Sequence, residues 1–413
     1  MNFTPPLAAR LGTFTPMPTN RQLFLQHVAQ TTRMPLMLEI ERAEGIYVYT
    51  TDGKRYMDLN SGICVSSLGH CHPAVVRAVQ GQSAQYMHTM VYGEHVQTPQ
   101  VALAKLLTDN LPAALNSVYL VNSGSEAVEG AIKLAKRHTG RYEIVAARNA
   151  YHGSTQGAES LRSDSALTSA YRPLVPGIRH INYNILDDLQ TITQKTAAVI
   201  LEPVQAEAGV ILPDTGYLKT VRQRCDETGA MLIFDEIQTG FGRTGSLFAF
   251  EQSGCVPDIL TIGKAMGGGM PIAAFISDVD VMQDLSYKPA LGHITTFGGH
   301  PVTSAAALAC LETLLNEKLI ERVAVKADLF INRLKHPIIK EVRSAGLMMA
   351  IELTKKRYLK YVVQFIIDNG GLVDWFLFNQ QAFRLAPPLI ITEAQIEEAC
   401  TLLLAACDHA ESI

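Results

Sequence analysis

The sequence predicts an α/β protein in which a large domain built on a mostly parallel sheet is joined to a smaller, more mixed one. Three observations carry this reading. Short β-branched and apolar runs recur at residues 118–121, 143–147, 197–201, 231–234, 259–262 and 273–277. Helical stretches such as 125–138 and 217–228 alternate with them, the pattern of a sheet covered on both faces. The chain has 413 residues, 47% of them hydrophobic, enough for two domains with sizeable cores.

Taken in order, residues 1 to about 40 read as an arm with a short amphipathic helix over 21–30. Residues 44–58 alternate and turn at Asp52-Gly53, a hairpin signal. The stretch 68–73 opens a helix with Pro73 in its first turn. The strands and helices of the large domain follow. A long apolar helix is expected over 302–315, and then a charged region to Arg343 reads as the passage into a second domain. There, 347–353 reads as a strand, 358–368 as a helix and 393–409 as a closing helix. The expected division is residues 1–68 as the arm and part of the small domain, 69–316 as the large domain, and 317–413 as the C-terminal small domain.

Composition narrows the function. Thirty-nine acidic against thirty-five basic residues give a formal net charge of −4, so no basic field gathers nucleic acid or an anionic membrane, and a small-molecule partner is expected. No apolar run approaches a membrane span. Residues 1–20 lack the marks of a secretory or mitochondrial leader, and seven cysteines without a CxxC pair fit reduced thiols, so a cytoplasmic location is expected. His70-Cys71-His72 is metal-like in composition only, because adjacent residues diverge too sharply for ligand spacing; no metal is expected.

The chemistry centres on residues 231–271. Asp235 closes one buried apolar run, and Lys264 follows another, ahead of Gly267-Gly268-Gly269, which would leave room for a bulky ligand. Acids and amines at the carboxyl ends of strands face the crevice where open parallel sheets bind ligands. Together the two supply what pyridoxal phosphate needs: an amine to hold its aldehyde as a Schiff base and an acid to keep the ring nitrogen protonated. A structural ion pair explains either residue alone, but it leaves the surrounding glycines and polar residues without a purpose.

With Gln238, Gly240, Gly242, Arg243, Gly245, Pro257 and Asp258, this segment resembles the signature of the class III aminotransferases, the family of ornithine, acetylornithine and 4-aminobutyrate aminotransferases. The resemblance runs from about Pro35 to Thr392 and implies fold type I, with a mixed, mostly parallel sheet in the large domain and a smaller α+β domain drawn from both ends of the chain. It also implies a homodimer with shared active sites and transfer of an amino group, from an ω-amine of an amino acid or diamine, to 2-oxoglutarate.

The remaining site residues come partly from spacing and partly from this resemblance. Ser123 and Glu126 stand at capping-box spacing at a helix start, where free N–H groups of Gly124 and Ser125 would cradle a phosphate. Tyr151, in Tyr151-His152-Gly153, matches the aromatic residue that stacks on the pyridine ring, with Gly153 letting backbone approach the ligand. Residues 202–209 resemble the family's EPxQxExG stretch, which implies that Glu202 lies near the cofactor and that Glu207 neutralises a substrate-binding arginine. Ala206 and Ala208 stand where glycine is common. Gln238 is expected to donate to the cofactor's phenolic oxygen, and Thr296 to reach the phosphate of the neighbouring subunit. His300 stands where the family commonly has asparagine. Arg384 matches the arginine that grips the α-carboxylate of glutamate and 2-oxoglutarate, a task suited to a planar, always-charged fork.

One position departs from the pattern. After the aromatic-x-Gly triplet the acetylornithine, ornithine and 4-aminobutyrate enzymes carry an arginine for the donor's carboxylate; here the residue is Ser154, and Arg162 or Arg172 would have to substitute. Two rivals share the cofactor: an aminomutase or racemase, which needs no external amino acceptor, and a non-catalytic regulator, which usually carries an additional DNA-binding domain.

Overall fold

The computed structural model describes residues 18–91 and 93–413. The arm expected over the first forty residues therefore lies partly outside the described chain. Its helix is found at Asn20–His27, held by a Thr19 capping box but burying no residue.

The strands in chain order are β1 (Ile40–Glu44), β2 (Tyr47–Thr50), β3 (Arg55–Asp58), β4 (Ser117–Val121), β5 (Glu143–Ala147), β6 (Ile178–Ile181), β7 (Thr196–Leu201), β8 (Met231–Asp235), β9 (Ile259–Ile262), β10 (Ala273–Ser277), β11 (Ile339–Ala345), β12 (Met348–Leu353), β13 (Gly371–Leu372), β14 (Asp374–Trp375) and β15 (Ala382–Leu385). Seven of them form the large sheet in the order β4-β10-β9-β8-β7-β5-β6. Strand β10 runs antiparallel to both neighbours, and the remaining pairings are parallel. Consequently the carboxyl ends of β4, β5, β7, β8 and β9 open on the same edge of the sheet.

The apolar runs are continuous because both faces of this sheet are buried. Alternation sends Val145, Val199, Leu232, Phe234 and Leu260 to one core, and Ile144, Ala198, Ile200, Ile233 and Ile259 to the other. The first face is covered by helices Tyr217–Thr228 and Pro301–Asn316, the second by helix Gly124–Thr139. A Cβ on Gly130 would stand 2.3 Å from a ring carbon of Phe275, so this last helix lies closer to β10 than any other residue would allow.

Two smaller sheets complete the fold. Strands β1, β2 and β3 form an antiparallel meander, and β13, from the far end of the chain, adds to β3 in parallel. Strands β11, β12, β15 and β14 form an antiparallel sheet that carries Arg384 on β15, opposite Ala350 and Asp374. Arg243, wholly buried, ties these parts to the large sheet: its Nη1 donates to the carbonyls of Leu347 and Pro387 and its Nη2 to Ser67 Oγ.

The charged passage expected up to Arg343 is instead structured, with helix Val323–Arg333 and strand β11. The helix buries Val323, Lys326, Ala327 and Phe330, one face at helical spacing, and Lys326 reaches the carbonyl of Leu389. Six of the seven cysteines are buried, Cys71 is exposed, and all are free thiols. Among the described residues no helix is long and apolar enough to cross a membrane.

Candidate active site

At the carboxyl edge of the large sheet a pocket is lined by Ser123, Gly124, Ser125, Tyr151, His152, Gly153, Glu202, Glu207, Asp235, Ile237, Gln238 and Lys264. Nine residues singled out from sequence converge there from loops after β4, β5, β7, β8 and β9. Arg384 adjoins it through Glu207, whereas Thr296 is exposed and away from the pocket within one chain.

Lys264 sits two residues beyond β9 with a left-handed φ of 48°, an arrangement that costs energy for a side chain bearing a Cβ and clusters at functional positions. Its Nζ donates to Gln238 Oε1. Burial lowers the pKa of the amine, and nearby Arg384 acts in the same direction, against Cys64, Glu207 and Asp235. None of the three glycines after it lines the pocket. Gly268 (φ 58°) lies against Val75 and Cys310, where a Cβ would come within 3.0 Å of Val75 Cγ2, so it serves helix packing behind the pocket.

Asp235 ends β8, 4% exposed. Its Oδ1 accepts from the Ile237 N–H at 3.1 Å, and its Oδ2 lies 2.7 Å from His152 Nδ1. Burial opposes a charge on His152, but the hydrogen bond and charge of Asp235, with Glu202, raise its pKa above the ordinary value. Sequence reasoning quoted His152 without giving it a role; its partner lies on another strand, and only the fold joins them.

Glu202 shapes the opposite wall. Its Oε1 accepts from the Tyr151 N–H at 3.1 Å and its Oε2 from the Ala206 N–H at 2.8 Å, so it fixes the loop that carries Tyr151. Burial pushes its carboxyl up to about 7, against His152 and these two N–H bonds. The Tyr151 hydroxyl is 3.0 Å from Ser154 Oγ, and the Ser154 N–H donates to Ser125 Oγ at 3.2 Å. Gly153 (φ 128°) is required by this contact, since a Cβ there would lie 2.2 Å from Ser125 Oγ. Gly153 thus brings the loop against Ser125 while also lining the pocket.

Helix Gly124–Thr139 begins at the pocket. Ser123 Oγ accepts from the Glu126 N–H at 3.3 Å, but the reciprocal half of the expected box is displaced by one residue, with Glu126 Oε2 accepting from the Asn122 N–H at 2.6 Å. Gly124 and Ser125 line the pocket at the helix start, where backbone N–H groups have no partner four residues back and can bind an anion. His300 is the N-cap of helix Pro301–Asn316: its Nδ1 accepts from the Val302 N–H at 3.3 Å while its ring stacks on His88.

Pyridoxal phosphate is tested by what this lining leaves unmatched. Gln238 Nε2 and His152 Nε2 are enclosed with no partner, one a fixed donor beside the Lys264 amine and the other behind the Asp235 carboxylate. An amine, an acid, an aromatic face and an anion-binding helix start fit an aldehyde, a pyridine ring and a phosphate. Nearby, Arg384 is 1% exposed. Its Nη2 pairs with Glu207 Oε1, Glu207 Oε2 accepts from the Leu377 N–H at 3.2 Å, and Nε and Nη1 of the arginine have no acceptor. A carboxylate gripping this guanidinium by two parallel N–H groups needs Nη2 and so must displace Glu207.

Residues 28–407 match the family described as Aminotransferase class-III. The chain is 38% identical over 389 residues to an acetylornithine aminotransferase of Methanothermobacter thermautotrophicus, covering 92% of this chain and 96% of that protein. It is 41% identical over 377 residues to the acetylornithine aminotransferase of Mycolicibacterium smegmatis, covering 90% and 94%. Among solved structures, the ornithine aminotransferase of Toxoplasma gondii superposes with a TM-score of 0.86 at 30% identity, covering 94% of each chain.

Proposed function

We propose that this protein, which belongs to the class-III aminotransferase family and is a pyridoxal-phosphate-dependent transaminase, moves an amino group from an ω-amine of an amino acid or diamine to 2-oxoglutarate. The observation that carries the reading is the convergence of Lys264, Asp235 and Gln238 with the start of helix Gly124–Thr139 on one pocket, beside an arginine paired with Glu207.

Bound there, the cofactor supplies an aldehyde that captures amines and a ring that takes up the electrons left when a proton departs from the amine-bearing carbon. Lys264 would hold the aldehyde and, as a free amine, would be the base that removes and returns that proton. Its lowered pKa favours the free amine this work needs. Asp235, oriented by His152, would keep the ring nitrogen protonated. Gln238 Nε2 would be a donor for the phenolic oxygen, and Ser123, Gly124 and Ser125 would hold the phosphate. Tyr151 would supply the aromatic contact, on a loop fixed by Glu202.

In the second half of the reaction Arg384 takes the carboxylate of 2-oxoglutarate after Glu207 swings away. When a donor without that carboxylate is bound, Glu207 stays and keeps the arginine neutralised. Alternation between two substrates of different charge thus needs only one side chain to move.

Thr296 belongs to the phosphate site of a second copy in a homodimer. An exposed apolar groove supports this, with Val96, Leu291 and Ile294 among its lining residues, beside the Thr296 loop. The free thiols support a cytoplasmic location. The relatives are named for acetylornithine, but Ser154, bonded to Tyr151, leaves no cation at the position expected for its carboxylate.

The deciding experiment is a screen of amino donors read by glutamate formation from 2-oxoglutarate. Glutamate formed from an ω-amine supports the reading. Turnover of an amino acid that proceeds without any added keto acid would favour an aminomutase or racemase.

A further inference from the structure

A second guanidinium, that of Arg162, stands behind Tyr151 of this pocket with donors unmet. Arg162 follows the short helix Gln156–Glu159 and is 8% exposed. Its Nη1 alone serves both oxygens of Glu159, at 3.2 and 3.4 Å, while Nε and Nη2 are enclosed without an acceptor. Burying an ion pair is costly unless its remaining hydrogen-bonding capacity is also met, so a fork used on one prong is an unfinished arrangement.

Its surroundings show what would finish it. The Arg162 Cζ lies 5.8 Å from the centre of the Tyr151 ring and 5.5 Å from that of Phe378. Tyr151 lines the cofactor pocket. The Phe378 N–H donates to the backbone carbonyl of Glu207 at 3.1 Å, and the preceding Leu377 N–H holds the Glu207 carboxylate. Arg162 therefore stands where the Tyr151 wall meets the Glu207 wall, separate from Arg384. The other arginine of this segment, Arg172, is exposed.

We propose that Arg162 is a specificity-determining residue that takes the carboxylate of the amino donor, so that the donor class is an ω-amino acid with its carboxylate at the end remote from the transferred amine. This rests on the transaminase reading above. Nε and Nη2 of the guanidinium offer two parallel N–H groups to a carboxylate, the charge-assisted fork that Ser154 cannot provide. Glu159 holds Nη1, which leaves the Nε and Nη2 edge as the one available to a carboxylate.

The test compares holoenzyme carrying Glu159→Gln together with Arg162→Met, which leaves no uncompensated charge, with the wild type and with Arg162→Lys. Donors are ω-amino acids of three to six carbons and the n-alkylamines that lack only the carboxylate. The expected result is a fall in kcat/KM of roughly 10- to 100-fold for the preferred amino acid, from a lost hydrogen-bonded charge. Its amine analogue and the 2-oxoglutarate half-reaction should change less than about twofold, well inside that range. Arg162→Lys should recover only part of the loss, since it keeps the charge without the fork. Equal losses for acid and amine, or no loss for either, overturn the proposal.

Calorimetric binding of short n-alkanoates supplies a readout independent of turnover. Binding that is lost in the Glu159→Gln, Arg162→Met protein and kept in Arg384→Ala supports the assignment; the reverse pattern overturns it. Should the wild type pass no amino group to 2-oxoglutarate from any donor while alkanoate binding still requires Arg162, the functional reading fails and the anion site stands.

Discussion

His152 Nδ1 lies 2.7 Å from Asp235 Oδ2, with both side chains closed off from solvent. The imidazole on Oδ2 and the Ile237 N–H on Oδ1 together fix the plane of the carboxylate. His152→Ala should lower kcat by roughly 10- to 100-fold, the worth of a hydrogen bond to a charged group, while the donor KM changes little. His152→Asn can place an amide N–H near the Nδ1 position and should recover much of the loss. Wild-type turnover in the alanine variant would remove the pair from the mechanism.

Lys264→Ala should lose both the visible absorbance of lysine-linked cofactor and catalysis, although cofactor can remain through its phosphate contacts. Asp235→Asn should cost roughly two to three orders of magnitude in turnover, the usual scale for a lost electrostatic partner of developing charge. Spectra and single-turnover rates of the purified variants check both.

Arg384→Ala should weaken 2-oxoglutarate and glutamate by about one to two orders of magnitude and spare the half-reaction with a donor that does not use this arginine. Glu207→Gln leaves the buried guanidinium without its anion, and the holoenzyme should then bind dicarboxylates more tightly but turn over alkylamines more slowly. Equal losses in both half-reactions of Arg384→Ala would make the residue a support of β15 instead.

The Lys264 pKa is lowered chiefly by burial. A lowered pKa means that the free amine is populated at lower pH than for an ordinary lysine near 10.4. Recapture of added cofactor by cofactor-free protein should therefore accelerate with rising pH and level off about a midpoint below that value. A rate still climbing through it would contradict the enclosed environment of the amine.

Ser154 shapes the choice of donor. Side-by-side rates for acetylornithine, ornithine, 4-aminobutyrate, simple diamines and longer ω-amino acids, with 2-oxoglutarate as acceptor, should place none of the first three at the top. A kcat/KM of about 10⁴ M⁻¹s⁻¹ or more for one of them would show that the missing arginine does not govern selection.

Strands β5, β9 and β10 and helix Tyr217–Thr228 were legible residue for residue because burial on both sides demands unbroken apolar runs and Gly229 marks the helix end. Strand β6, at the sheet's edge, was not: Arg179 and His180 interrupt its two isoleucines, and only Ile181 is buried. Helix Val323–Arg333 did carry an apolar stripe, but its charged neighbours obscured it. In the site, strand ends marked Asp235 and Lys264. The partnership of His152 with Asp235, and of Arg162 with Tyr151 and Phe378, depends on which strands lie side by side, and no local pattern records that.

The pairing of β3 with β13 also sets a timetable for the ribosome. The amino-terminal meander emerges early, yet the strand that covers its open edge is among the last pieces to be translated. Until then the β3 edge has unpaired N–H and C=O groups on view, the kind of surface that recruits stray strands. A stalled or truncated chain ending before Gly371 should therefore aggregate rather than accumulate as a folded large domain, and rescue should come from supplying the missing carboxyl-terminal piece in trans.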